Sequence, residues 1–302
     1  MSARLPPSMR FVERDWLSAN GVLFADGRRA ALVGTGYVKR RALTVALVRR
    51  ALGDRPLDLV VNTHLHSDHC GGNAALQAAF GARTLIPEAS ADAVRHWGEG
   101  LTYASTGQRC DRFGFDGTLE DGASVALGGL SWRVIAAPGH DPDSVILHCA
   151  SERILISADV LWATGFGIIF PELEGESGFA EQRAMLERID TLDVALVLPG
   201  HGPMFTDVRG ALRTARQRLD RLSADPANNA RYAAKALLKY LLLDEERIAL
   251  DAVPGRMRGV HVTMEANRRY LGMSVEALSE WTVGELVRAG AARIEDGVLV
   301  NA

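Results

Sequence analysis

The chain has 302 residues, 47% of them hydrophobic and 24% charged, with a formal net charge of −3. That length can bury a large core, as one domain or as a domain with an appendage, while the near balance of charge excludes a global pull towards nucleic acid or an anionic membrane. Residues 1–10 lack the apolar core of a secretory signal, no stretch is apolar enough to span a bilayer, and Cys70, Cys110 and Cys149 are too few and too scattered for a disulfide framework, so a reduced, cytoplasmic setting is expected.

Residues 11–38 read as short strands broken by turns at Asn20-Gly21, Asp26-Gly27 and Gly34-Thr35-Gly36. The spacing of Leu43, Ala46, Leu47 and Ala51 predicts a helix over 40–52, stopped by Gly53. A buried strand over 57–62, a helix over 73–80, a short strand over 83–86 and a short helix over 89–97 follow. Strand patterns return at 124–127, 130–136, 144–149 and 153–157, then a helix at 179–189 and an apolar strand at 195–198. Strands and helices thus alternate in two successive halves, which suggests two sheets between helical layers. A basic helix is expected over 209–222 and a second helix over 230–243, beyond a break at Asp225-Pro226. From Ser274 the pattern reads helix, helix and then a hairpin turning at Asp296-Gly297, similar to a small winged-helix unit. We therefore divide the chain into a catalytic region, 1–222, and a mainly helical region, 223–302.

Three of the eight histidines and one aspartate fall within six residues, His64-Leu65-His66-Ser67-Asp68-His69, directly after an apolar strand. Imidazoles at that density repel one another when protonated and fill a core badly; a metal cation makes the crowding favourable. His64 and His66, two apart in an extended segment, can point to one side, whereas the adjacent Asp68 and His69 diverge towards a second point. Four ligands aimed in two directions suggest two ions about 3.5–4 Å apart, as in two-metal hydrolytic sites. Further ligands close other apolar strands: His140 after Pro138-Gly139, Asp159 after Ser157-Ala158, and His201 after Pro199-Gly200. His64, His66 and His140 would form one site, Asp68, His69 and His201 the other, and Asp159 would bridge them. Cys70 beside them is read as packing, and His96, His148 and His261 as structural or surface residues.

The H-x-H-x-D-H hexapeptide, followed in order by His140, Asp159 and His201, resembles the metallo-β-lactamase superfamily over residues 9–207. The resemblance implies an α+β fold, a four-layer αβ/βα sandwich, and two divalent metal ions, zinc foremost with iron or manganese as alternatives. The full ligand set with Asp159 is similar to the branch of hydroxyacylglutathione hydrolases, lactonases and nucleases; the antibiotic-cleaving members usually lack that aspartate. One departure is Gly34, where many members carry an aspartate.

A hydroxide activated by two metal ions implies hydrolysis of a thioester, ester or lactone, with Asp68 as ligand and as the catalytic residue that orients the nucleophile or passes its proton. Trp162, Phe166, Ile168, Ile169 and Phe170 are expected to wall the site, which suits a small acyl, thioester or lactone substrate. The competing readings are a metal-dependent ribonuclease or phosphodiesterase, a mononuclear iron persulfide dioxygenase, and a non-enzymatic metal-holding sensor. Arg209, Arg213, Arg216, Arg218, Arg221, Arg231, Lys235 and Lys239 offer a face for a carboxylate, a phosphate or RNA, although such runs are usually solvated. No membrane partner is expected, and a homo-oligomer is compatible with the sequence.

Overall fold

A computed structural model describes residues 4–302; residues 1–3, the start of the N-terminal stretch read above, lie outside the described residues. The first sheet runs in chain order through β1 (Met9–Val12), β2 (Gly21–Ala25), β3 (Ala30–Val33), β4 (Leu59–Val61), β5 (Arg83–Pro87) and β6 (Gly117–Leu119). β1 to β3 pair antiparallel and β3 to β6 parallel. Its parallel connections carry α1 (Arg41–Leu52), α2 (Ser67–Cys70), α3 (Asn73–Phe80), α4 (Ala91–His96) and α5 (Glu99–Thr102).

The second sheet contains β7 (Ser124–Leu127), β8 (Leu130–Ala136), β9 (Val145–Cys149), β10 (Ile154–Ala158) and β11 (Leu196–Pro199), in the spatial order β11-β10-β9-β8-β7. β10 and β11 pair parallel, which requires a crossover; α6 (Phe170–Glu174) and α7 (Phe179–Asp190) lie in it, and α8 (Val208–Ala224) follows β11.

Burial separates the layers. Val22, Phe24, Val33, Trp132, Val134 and Leu147 meet between the two sheets. Leu23, Leu32 and Val60 face α1 and α3 on one outside, through Val48, Leu52 and Leu76. Ile146, Leu155 and Val197 face α7 and α8 on the other, through Leu186, Ile189 and Leu212. The result is the expected four-layer sandwich, and its strands end at a common rim that holds the histidine cluster.

The remaining chain forms α9 (Ala227–Glu245), β12 (Arg247–Ala249), α10 (Val253–Arg258), α11 (His261–Ala266), α12 (Val275–Arg288), β13 (Ala292–Glu295) and β14 (Val298–Asn301), with a small antiparallel sheet β12-β14-β13. The hairpin at Asp296-Gly297 forms as read, with both residues at positive φ. The two helices read after Ser274 are one: Ser274 Oγ accepts from the Ala277 N–H, and the helix runs through Gly284 to Arg288. Glycine inside a helix costs about 1 kcal/mol, offset here by burial of Leu278, Val283 and Leu286. This region has its own apolar cluster, which also takes in Ile168 and Leu173 from the catalytic part.

Candidate metal centre

β4 delivers the chain to the rim, and it stays extended to His66 (φ −64°, ψ 146°) before turning into α2. The turn is held from behind at one carbonyl: His69 O accepts from Thr35 N at 2.8 Å, Thr35 Oγ1 at 3.0 Å and Asn62 Nδ2 at 3.2 Å. Asn73 Nδ2 in turn donates to Asn62 Oδ1 at 2.7 Å. Gly71 and Gly72 have ordinary helical φ, −62° and −88°, so the tight turn does not use their left-handed freedom. They are needed for close approach: a Cβ on Gly71 would collide with Val38 N, and one on Gly72 would lie 2.5 Å from Thr35 O.

The second sheet supplies the other three ligands. His140 follows β8, and its Nδ1–H donates to Ile168 O at 2.5 Å, which turns Nε2 inward. Asp159 follows Ala158, an alanine at φ +47° on a strand whose register is already shifted; such strain of about 1–3 kcal/mol persists where the surroundings enforce it, often at functional sites. His201 follows Gly200, where a Cβ would strike the Asp159 carboxylate, and a Cβ on Gly167 would strike the His140 ring. The backbone is packed against the ligands themselves.

All seven predicted residues converge. The ligand atoms of His64, His66 and His140 lie within 4.8 Å of one another, those of Asp68, His69 and His201 do the same, and His64, His69 and Asp159 form a third triad joining them. His140 Nε2 is 2.8 Å from His66 Nδ1. Asp159 Oδ2 lies 3.4 Å from His69 Nε2, 3.5 Å from His140 Nε2 and 3.7 Å from His201 Nε2. His201 Nε2 is 3.0 Å from Asp68 Oδ2.

Electrostatics mark the cluster as unfinished by protein atoms alone. Burial and the neighbouring imidazoles push His64 well below its usual range, and burial foremost takes His66 and His140 down to about 4. Burial would lift Asp68 and Asp159, but His69 and His201 outweigh it and hold both carboxylates below their ordinary value. Burial would likewise lower His201, yet Asp159 and Asp68 carry it up to about 9. Nε2 of His64 and of His69 are buried with no hydrogen-bond partner, an expensive state for a polar atom. Two orphaned imidazole nitrogens inside a His/Asp cage fit divalent cations of the zinc type, which take nitrogen and carboxylate ligands.

The rim opens into a cavity of about 410 Å³. Trp162, Ile168 and Phe170 line it as read, whereas Phe166 and Ile169 are buried in the core between the second sheet and α7 and α8. Missing from the sequence reading are Trp16, Tyr103 and Asp141 on the near walls, and Tyr232, Leu237, Tyr240 and Val262 from α9 and α11. Asp141 stands next to His140 in sequence, and its Oδ2 lies 3.4 Å from His66 Nε2; burial raises this carboxyl to about 6. The α9 residues carried no signal, because an apolar pocket wall has the same helical spacing as a core face. Asn229 on α9 grips the loop behind His140, accepting from Ile169 N at 3.4 Å and donating to Ile169 O at 2.8 Å.

Cys70 is fully buried and faces away from the cluster, its Sγ 3.4 Å from Tyr103 Oη. His96 and His261 are exposed, and His148 lies on β9 with Nε2 3.3 Å from Asp193 O. Gly34 has φ +76°, and a Cβ there would sit 2.6 Å from Asn20 O, so this backbone has no room for an aspartate. Part of the basic face is engaged: Arg216 pairs with Asp190, Arg231 with Asp225 and Lys235 with Glu285, and Arg218 stacks on Phe166 and Tyr232, whereas Arg209, Arg213 and Arg221 make no ion pair among the described residues.

A family model described as the metallo-beta-lactamase superfamily matches residues 14–201. Among curated relatives, a hydroxyacylglutathione hydrolase of Anaeromyxobacter dehalogenans is 32% identical over 240 residues, 75% of this chain and 83% of the relative. One of Brucella anthropi is 28% identical over 210 residues, 70% of this chain and 67% of the relative. Among solved structures, a metallo-beta-lactamase from Cronobacter sakazakii superposes with a TM-score of 0.59 at 19% identity, covering 75% of this chain and 97% of that one. A metallo-beta-lactamase family protein from Thermus thermophilus gives 0.58 at 19% identity and covers 99% of this chain and 100% of its own, so its fold likeness extends through the helical region.

Proposed function

Because the chain belongs to the metallo-beta-lactamase superfamily, we propose that it is a hydrolase of thioesters, esters or lactones that works with two divalent metal ions, zinc foremost. His64, His66 and His140 would hold one ion, Asp68, His69 and His201 the other, and Asp159 would serve both. When bound, such ions supply Lewis acidity and a water activated near neutral pH. Asp159 Oδ2, within 3.4–3.7 Å of imidazole nitrogens from both groups, is the observation that carries the two-ion reading.

The protein's own part follows from the geometry. Ile168 O fixes the His140 tautomer so that Nε2 faces the cavity, and Thr63 Oγ1 lies 3.3 Å from His64 Nδ1, leaving the buried Nε2 of His64 as the nitrogen without a partner. Asp68 is buried, keeps its charge and shares His201 at 3.0 Å; it is placed to orient the attacking water and to take or return a proton at Oδ2. The aromatic and aliphatic walls exclude bulk water and seat an acyl group, in keeping with the two relatives named as hydroxyacylglutathione hydrolases. The ion-paired state of Arg216, Arg231 and Lys235 favours this reading over a ribonuclease. A cytoplasmic setting belongs to the same proposal, supported only by the few, scattered cysteines of the sequence; no helix among the described residues is long and apolar enough to cross a membrane. The test is metal analysis with a panel of thioester, lactone and phosphodiester substrates: two ions per chain and ester-type turnover lost in Asp68→Ala are expected, and one iron per chain would defeat the proposal.

A further inference from the structure

We infer that the substrate is uncharged around its scissile bond, and that the pocket discriminates against the same acyl group carried on an anionic thiol such as glutathione or coenzyme A. The inference rests on the hydrolase reading of this site and narrows it. Among the described residues the cavity wall contains no lysine and no arginine, yet beyond the ligands it presents the carboxylates of Asp141, Asp143 and Glu174. Sites that hold carboxylates or phosphates do so with guanidinium forks or ammonium groups; the ions would attract the scissile group itself, but a carboxylate carried farther out on the thiol would meet Asp143 and Glu174 and no cationic side chain of the wall, a juxtaposition that costs affinity.

Cations bordering the wall are engaged with other groups: Arg269, whose guanidinium lies against Gly175 beside Glu174, pairs with Glu265. Arg109, which follows the wall residue Gln108, grips Asp244 at 2.8 Å. Arg218 lies flat over Tyr232, 4.4 Å from its ring centre, on the far side of that wall. Lys39 donates to the carbonyls of Leu243 and Asp244 and to Glu246. Beside the polar Ser90, Ser105, Thr106 and Gln108, the wall carries an apolar share from Trp16, Phe170, Tyr232, Leu237, Tyr240 and Val262, a lining that rewards an aliphatic or aromatic acyl chain through burial. Glu174 is exposed and makes no ion pair among the described residues, so its charge is free to act on what enters.

The experiment uses the metal-loaded full chain and one acyl group, octanoyl, carried as a thioester on neutral N-acetylcysteamine and on glutathione. The expected result is a kcat/KM at least about tenfold higher for the neutral ester, a gap that narrows with added salt as charge is screened and narrows again in Glu174→Lys. A second readout is independent of turnover: quenching of Trp16 and Trp162 fluorescence by the two non-hydrolysable thioethers should show the same order of affinity. Equal use of both esters, or preference for glutathione, overturns the inference and leaves the hydrolase reading intact. Failure to cleave either thioester removes thioesters from the hydrolase reading and leaves esters and lactones to the wider panel, and the thioether affinities then still decide the charge question: neutral preferred upholds it, and no preference ends it.

Discussion

Across one cavity, two walls face each other that are made of different material. On the rim side His64, His69, His140, Asp68 and Asp159 are buried and ionisable, with backbone pressed against His140 at Gly167 and against Asp159 and His69 at Gly200. On the opposite side α9 and α11 contribute Leu237, Tyr240 and Val262, which belong to or border an ordinary apolar cluster. The rim would give chemistry and little cohesion without an ion; the helical wall gives cohesion and shape with no chemistry of its own. Substitutions on the two sides should therefore fail in different ways.

The strongest separation is expected at Asp159. Asp159→Ala removes the one oxygen close to imidazoles of both groups, and metal content and turnover should fall by more than about 100-fold, beyond what supporting residues usually contribute. Calorimetric titration with zinc reads this directly, and a variant that still binds two ions tightly would remove the bridging role. Leu237→Ala on the other wall should cost about 2–5 kcal/mol of stability, as for other large-to-small core changes, with metal stoichiometry unchanged. Denaturant midpoints beside metal analysis measure it; loss of metal together with stability would show that the walls are not separable.

A pH series on chelator-treated protein probes the rim without substitution. His66 and His140 at about 4, against an ordinary 6.5, mean that the unfolded chain takes up protons the folded chain refuses, so stability should fall as pH drops from 6.5 towards 4. His64, held well below its usual range, acts in the same direction, and Asp141, raised to about 6, opposes the three imidazoles with one proton. His201, held at about 9, stabilises below 6.5 and loses that contribution as pH rises through 9. The midpoint of unfolding should therefore peak near neutrality; a steady rise from pH 4 to 9 would contradict the imidazole environments described. The smallest effect is expected at Arg216→Ala, which breaks a partly exposed pair with Asp190: at most about 1 kcal/mol of stability, with ester turnover unchanged. A large loss of turnover there would return the basic face to the functional site.

Reading the chain alone succeeded where chemistry restricts residue choice. A helix at 73–80 and the strands at 124–127 and 130–136 fall where periodicity, Gly81 and Gly129 put them, and all seven candidate ligands converge. It failed where packing decides. Gly117–Leu119 and Phe170–Glu174 are too short for a pattern to show, and the two helices read after Ser274 run on as one, α12. The aromatic run after Asp159 divides into pocket and core by its course in space: Phe170 lies 4.9 Å from the His66 ring centre, while Phe166 is sealed under Arg218. Leu237 and Tyr240 became pocket lining only because a later helix folds back over the rim.

Asn20, at the turn before β2, donates through Nδ2 to Pro199 O at 3.0 Å and to Gly202 O at 2.8 Å, and its own N–H donates to Gly200 O at 2.7 Å. A single side chain of the first sheet thereby clasps both flanks of His201, a ligand presented by the second. Sliding of one sheet over the other, the softest deformation open to a sandwich, would have to tear this clasp and draw the two ligand groups apart in the same motion. Grip on the proposed ions and resistance to interlayer shear would then be one mechanical property, and a cation seated at the rim would act as a rivet for the whole fold.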